Sequence, residues 1–350
     1  MVHDEAYMRR CLDLAVLGAG TVSPNPMVGA VIVCDGQIIG EGYTSPYGGP
    51  HAEVNAVRNA MHMLGEEEAL QRFRRATIYV SLEPCAHHGK TPPCADMLVR
   101  HQFACVVIGC LDPFAKVNGQ GLQKLQDADI DTRVGVLEAE CRFMNRRFFT
   151  RITQQRPYVI LKWAETSNGL FAPVEPGQAW ISNAASKQLV HKWRAEEDAV
   201  LVGTATALLD NPSLTVRLRK GRNPKRVLID RDLVVPAEAA LYDGEAETIV
   251  FNAKETDWQA KRKLIALENF PLYLPQNILY QLYLMDVQSI IIEGGVKTLQ
   301  LFIDAGVWDE ARVFVSTASW DQGIASPALN RSPASSVAVG SDTLSYYFNR

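Results

Sequence analysis

Two thiols and one imidazole of the kinds that share a metal ion constrain this fold more than any other feature: His51 in His51-Ala52-Glu53, Cys85 after Glu83-Pro84, and Cys94, with eight residues between the cysteines. Thiolates and imidazoles suit a tetrahedral zinc ion, and three protein ligands leave the fourth position open, as a catalytic site requires. Apolar periodicity predicts helices over 52–64 and 94–101, and ATIYVSL at 76–82 reads as a strand. The ligands then stand at a strand exit and at two helix N-termini, which a layered α/β sheet can bring together. His-x-Glu arises by chance in many chains, and a single cysteine is more often a buried apolar residue. The ordered set of His-x-Glu, strand and Glu-Pro-Cys carries the reading.

Water on an ion held this way becomes a nucleophile near neutral pH. Glu53 lies two residues from His51, close enough to exchange a proton with that water without ligating the ion. His-x-Glu followed by Pro-Cys and a second cysteine is the signature of zinc-dependent base deaminases, and Glu53 takes its proton-shuttling role from that signature. The usual cysteine spacing there is shorter. The inserted residues include His87, His88 and Lys90, read as contacts to substrate or to the ligands, since three ligands suffice. Asn25, in Pro24-Asn25-Pro26, has the donor and acceptor a pyrimidine edge needs, although a polar loop residue looks the same. The other five cysteines sit on apolar-periodic segments and read as core.

Asp35-Gly36 between VGAVIVC and QIIGEG marks a hairpin. Alternating strands (104–110, 130–136) and helices (4–17, 137–148) follow the same mixed-sheet pattern. The polar stretch 150–156 ends at Pro157, where a new apolar run begins, so domains are expected over 1–150 and 157–350. The second half alternates strands (158–164, 198–202, 225–230, 247–251, 289–293, 311–316) with helices (183–196, 297–305), a second α/β domain. There, Ile290–Glu293 runs into Gly294-Gly295 and a helix, a place for a cofactor phosphate, although ordinary strand-to-helix turns share the pattern. Thr204, Thr206 and Asp210 follow DAVLVG, and NPSLTVR ends in Arg217; these suit an anionic ligand, and by composition alone read as loop.

NPMVGAVIV, EGYTSPYGGPHAEVNA, SLEPCAHHGKTPPC and LDPFAKVNGQGL resemble, in order and spacing, the bifunctional deaminase/reductases of riboflavin biosynthesis, and the resemblance runs through nearly the whole chain. It implies a cytidine-deaminase-like mixed-sheet three-layer domain followed by a dihydrofolate-reductase-like α/β domain. The first would deaminate 2,5-diamino-6-ribosylamino-4(3H)-pyrimidinone 5′-phosphate with Zn2+, and the second would reduce the ribosyl side chain with NADPH. By resemblance, Ala164, Trp180, Thr206, Asp210 and the run Gly295, Val296, Lys297, Thr298, Leu299, Gln300 and Leu301 match cofactor-binding positions. Gln178, Arg194, Leu214, Arg217 and Glu293 match positions around the substrate, with the two arginines suited to its phosphate. Where the family reads Lys-x-Ala-x-Ser-Leu-Asp-Gly-Arg, this chain reads KWAETSNGL, with Asn168 for the acid and Leu170 for the base, and Gln178 stands where serine is common. The family expectation is a homo-oligomer, dimer or larger.

With 35 Lys+Arg against 39 Asp+Glu, a net charge of −4 gives no general attraction to nucleic acid, which disfavours the rival reading of a nucleic-acid base deaminase. A second rival keeps the deaminase and makes the second half a non-catalytic module. No apolar run approaches bilayer length, and the N-terminus lacks a secretory pattern, so no membrane association and a cytoplasmic location are expected.

Overall fold

Asp35 and Gly36 take φ of 52° and 76°, the left-handed pair that a two-residue type I′ turn requires. The turn joins β1 (Gly29–Cys34) to β2 (Gln37–Tyr43), with Cys34 opposite Gln37. The computed structural model describes residues 2–86, 92–114, 119–174 and 181–349. The chain divides into two compact units, Met1–Gln154 and Gln155–Arg350.

The first unit adds α1 (Val2–Ala15), α2 (Ala52–Leu64), α3 (Glu66–Phe73), β3 (Thr77–Leu82), α4 (Cys94–Arg100), β4 (Cys105–Cys110), α5 (Gln120–Asp127), β5 (Asp131–Val134), α6 (Glu138–Met144) and α7 (Arg146–Gln154). Its sheet runs β2-β1-β3-β4-β5. β1 is antiparallel to both neighbours, and β3, β4 and β5 are parallel. Strands β1 and β4 are buried along their whole length, as continuous apolar runs demand when helices cover both faces. Helix α2 lies directly on β2. A Cβ at Gly42 would fall 2.4 Å from Ala56 N and 2.5 Å from Ala52 O, and one at Gly40 would fall 2.5 Å from Ala56 O. Glycine in the strand and alanine in the helix thus set how closely α2, and the residues at its N-terminus, approach the sheet.

Three local features depart from the sequence reading. Helix α3 (EEEALQRF) buries Ala69 and Phe73, whose ring stacks on Phe103 at 4.7 Å, with Leu70 packed beside them, too sparse an apolar pattern to read. The helix expected over 137–148 is two helices divided at Asn145. That side chain accepts from Met27 N at 2.8 Å and donates to Met27 O at 2.9 Å, tethering the loop that carries Asn25. Residues 150–154, polar in sequence, continue α7.

The second unit contains β6 (Tyr158–Glu165), β7 (Leu170–Ala172), α8 (Ala184–Glu196), β8 (Ala199–Gly203), α9 (Thr204–Asp210), β9 (Lys225–Ile229), β10 (Thr248–Asn252), β11 (Asp257–Trp258), β12 (Arg262–Ala266), α10 (Leu274–Leu284), β13 (Ser289–Ile292), α11 (Val296–Asp304), β14 (Glu310–Val315), β15 (Ile324–Ala325), β16 (Ser335–Val339) and β17 (Asp342–Phe348). Its large sheet has the order β11-β12-β10-β9-β8-β13-β6-β14-β17-β16, parallel from β12 to β14 and antiparallel at both edges. Separate cores cover the two faces. One takes Leu299 and Phe302 of α11, the other Ala207 of α9 and Trp193 of α8. Adjacent strands β8 and β13 therefore lead into helices on opposite faces. That divergence opens a crevice at their C-terminal ends, where ligands of parallel α/β sheets bind.

Candidate active sites

In the first unit, one ligand atom each from His51, Cys85 and Cys94 lies within 4.8 Å of the other two. His51 caps α2, Cys94 opens α4, and Cys85 follows β3, so two helix N-termini and a strand exit converge. His51 Nδ1 stands 3.6 Å from Cys85 Sγ and 3.4 Å from Cys94 Sγ. A tetrahedral ion ~2.3 Å from sulfur and ~2.0 Å from nitrogen sets those separations at about 3.5 Å, so the donor set fits zinc. The Cys94 thiol and then the His51 ring, hydrogen-bonding to Cys85, hold its thiol well below the ordinary value against burial, so Cys85 is kept as the thiolate that zinc binds, while the bond to Cys85 and burial push the Cys94 thiol up.

Glu53, in the first turn of α2, is 4% exposed. Burial pushes its carboxyl up to about 7 against the pull of His51. It lines a cavity of about 410 Å³ together with His51, Cys85 and Asn25, and Cys94 stands beside them through the ligand triangle. His87, His88 and Lys90 lie outside the described residues.

The loop carrying Cys85 is fixed by its neighbour. The buried Glu83 carboxylate accepts four backbone N–H bonds, from Asp112 (3.2 Å), Gly119 (3.0 Å), Gly121 (3.0 Å) and Leu122 (3.3 Å), pinning the start of α5 beneath the Glu-Pro-Cys turn. A Cβ at Gly121 would fall 2.0 Å from Pro84 O, so only glycine lets the two segments meet. Glu83 was legible only as part of the motif. Phe148, Arg151 and Ile152, one face of α7, also wall the cavity, and the sequence reading left them out.

In the second unit, Ala164, Thr206, Asp210, Leu214, Arg194, Arg217 and Glu293 line one cavity of about 520 Å³ at the crevice beside β8 and β13. The run 295–301 is not brought to that cavity as a whole. A Cβ at Gly295 would lie 3.3 Å from Thr206 Oγ1, so its first residue borders the site. Leu299 is buried in the core, Leu301 packs against that core, and Gln300 faces elsewhere, accepting from Ala328 N at 2.9 Å. Gln178 and Trp180 lie outside the described residues.

Arg194 forks onto Glu293, with Nε to Oε1 at 2.8 Å and Nη2 to Oε2 at 2.7 Å, while Nη1 reaches Thr215 O at 3.4 Å. Lys162 Nζ stands 4.0 Å from Glu293 Oε2. Burial alone would raise the Glu293 carboxyl, but Arg194 and Lys162 outweigh it and hold it down at about 2. Burial lowers the Lys162 ammonium, against the attraction of Glu293. Lys162 was missed, and its signal was one cation inside the otherwise apolar strand YVILKWA. Asn168 lies in a turn, where its side chain donates to Trp320 O at 2.7 Å and accepts from Trp320 N at 3.3 Å, a pairing that a carboxylate cannot make. Leu170 pairs with Ala325 in the small β7–β15 sheet.

Residues 1–110 match the cytidine and deoxycytidylate deaminase zinc-binding region, and residues 157–318 match the RibD C-terminal domain. The chain is 40% identical to the riboflavin biosynthesis protein RibD of Aquifex aeolicus over 328 residues, 92% of this chain and 89% of that one. Against the Escherichia coli RibD it is 35% identical over 331 residues, covering 90% and 88%. The crystal structure of a diaminohydroxyphosphoribosylaminopyrimidine deaminase/5-amino-6-(5-phosphoribosylamino)uracil reductase from Thermotoga maritima superposes with a TM-score of 0.88 at 37% identity, covering 98% of both chains.

Proposed function

The chain belongs to the RibD family of bifunctional riboflavin-biosynthesis deaminase/reductases, and we propose from its two cavities which residues carry each step. It is an enzyme with a zinc-binding deaminase domain and a reductase domain that uses NADPH, acting on a small phosphorylated pyrimidine. The observation that carries the assignment is the His51, Cys85 and Cys94 triangle, two of whose members, His51 and Cys85, line one cavity with the buried Glu53.

In the deaminase unit, His51, Cys85 and Cys94 hold zinc, which when bound supplies Lewis-acid activation of water. Glu53 would take a proton from that water and pass it to the ring nitrogen, then carry the proton of the added hydroxyl to the amine as ammonia leaves, a task open to the buried carboxyl in the first turn of α2. The Asn25 side chain meets the pyrimidine edge, and Phe114 and Phe148 offer apolar walls to the ring.

In the reductase unit, NADPH supplies the hydride. Thr206, Asp210, Ala164 and the N-terminus of α11 hold the cofactor, whose phosphates suit the N–H groups of that helix end. The Arg194–Glu293 pair keeps an ionised carboxylate in the cavity to orient the ribosyl hydroxyls, with the Lys162 ammonium beside it as a donor. Arg194 is committed to the Glu293 carboxylate, whereas the Arg217 guanidinium donates to the neutral Ser213 hydroxyl, which leaves its charge for the phosphate. No described helix is long and apolar enough to cross a membrane. A cytoplasmic location and a homo-oligomer, dimer or larger, complete the reading, the latter supported by exposed Leu272, Tyr273, Tyr280 and Leu284 in and before α10.

The test gives the zinc-loaded chain the diaminopyrimidinone ribosyl phosphate and NADPH, following ammonia release and NADPH absorbance in one tube. Both signals are expected, ammonia first. Ammonia alone would reduce the chain to a deaminase with an idle second unit, and neither signal would refute the substrate.

A further inference from the structure

Arg217 is exposed and lies on a segment without regular secondary structure, so something other than a ladder must hold it in place. Three side chains bond the main chain between Leu214 and Arg217. Asn223 Oδ1 accepts from Val216 N at 2.8 Å, Arg194 Nη1 donates to Thr215 O at 3.4 Å, and His191 Nδ1 accepts from Arg217 N at 3.2 Å. The segment is bent sharply, because Leu214 takes φ of 51° in the cavity wall, a conformation that side-chain-bearing residues adopt only under constraint. His191 belongs to the face of α8 that carries Lys187, Val190 and Arg194, all lining the same cavity.

We propose that His191 is a positioning residue of the reductase unit: its ring holds the main chain at Arg217, and thereby the guanidinium that meets the substrate's phosphate, at the rim of the cavity. The inference rests on the reductase reading above and adds how that half selects a phosphorylated substrate. The ring is buried, and burial, with the charges of Arg194 and Arg217 facing it, lowers its pKa against the opposing Glu293. A neutral ring keeps the Nδ1 lone pair that the Arg217 amide needs. Arg194, occupied by Glu293, does not substitute for Arg217.

The experiment compares His191→Leu, which removes the acceptor, with His191→Asn, whose carbonyl oxygen replaces it, in the full zinc-loaded chain. NADPH oxidation is followed with the deaminated pyrimidine ribosyl phosphate and with the same compound lacking its phosphate. The Leu variant should raise KM for the phosphorylated compound about tenfold, from the loss of one hydrogen bond that holds the segment, with kcat within about twofold and the dephosphorylated compound unaffected. The Asn variant should recover KM to within about threefold. An unchanged KM, an equal rise for both compounds, or a fall in kcat alone overturns the positioning role. NADPH binding by fluorescence reports whether the Leu variant has folded. If it has not, the Asn variant decides, with near-wild-type KM upholding the role and an equal rise on both compounds overturning it. A wild-type chain that oxidises no NADPH with either compound defeats the reductase reading itself, an outcome distinct from failure of the His191 variants alone.

Discussion

Replacing Gly42 by Ala adds one methyl where β2 and α2 touch main chain to main chain. The new Cβ would lie 2.4 Å from Ala56 N and 2.5 Å from Ala52 O, and ordinary contact begins at 3.4 Å, so α2 must withdraw by about 1 Å. Neither atom belongs to a side chain that can rotate away. Overpacking of this kind costs about 1–3 kcal/mol of stability. The larger effect falls on the site, because Ala52 is the first residue of α2 and lies between His51 and Glu53. A displacement of ~1 Å in catalytic geometry costs on the order of a hundredfold in rate. The variant should therefore release ammonia about a hundredfold more slowly, with weakened zinc retention. It should still oxidise NADPH at the wild-type rate when given the deaminated compound, since Gly42 belongs to the other unit. Ammonia release within about threefold of wild type would refute the idea that this glycine contact positions the site.

Two further substitutions probe the same neighbourhood. Cys85→Ser should lose stoichiometric zinc by elemental analysis, because a hydroxyl does not replace the thiolate, and full retention would remove Cys85 from the ligand set. Glu83→Gln puts an amide NH2 where an oxygen accepts two backbone N–H groups; it should cost about 2–3 kcal/mol, read as zinc release to a chelator at lower denaturant, and an unchanged midpoint would make the four contacts incidental.

Much of the first unit was legible because its signals are local. The Asp35-Gly36 turn, the buried runs of β1 and β4, and the helical starts at His51 and Cys94 each declare themselves within a few residues. The proposed ligand set rests on residue chemistry and order, with the three side chains brought within reach of one another. Glu83 showed no role because its four partners come from residues 112–122, and a carboxylate satisfied by distant main chain leaves no periodicity. Helix α10 and the β16–β17 hairpin were not read. Pro275 resembles a loop residue, yet it sits in the first turn of α10, where a missing N–H costs nothing, and β16 is an edge strand with an exposed surface rather than a clean alternation. In the reductase unit the cavity depends on which strands become neighbours. Lys162 and Glu293 stand on β6 and just past β13, adjacent in the sheet and 131 positions apart in sequence, and no spacing rule connects them. The family resemblance supplied Glu293, and the single cation in β6 was the remaining clue.

Glu53 is proposed to move protons in the first unit without holding its metal. The most direct measurement takes Glu53→Gln through zinc analysis, ammonia release from the diaminopyrimidinone ribosyl phosphate, and NADPH oxidation with the deaminated compound, all on one preparation. Full zinc, ammonia release down by about a hundredfold or more and an unchanged NADPH rate are expected from that role. Near-normal ammonia release with zinc in place would contradict it.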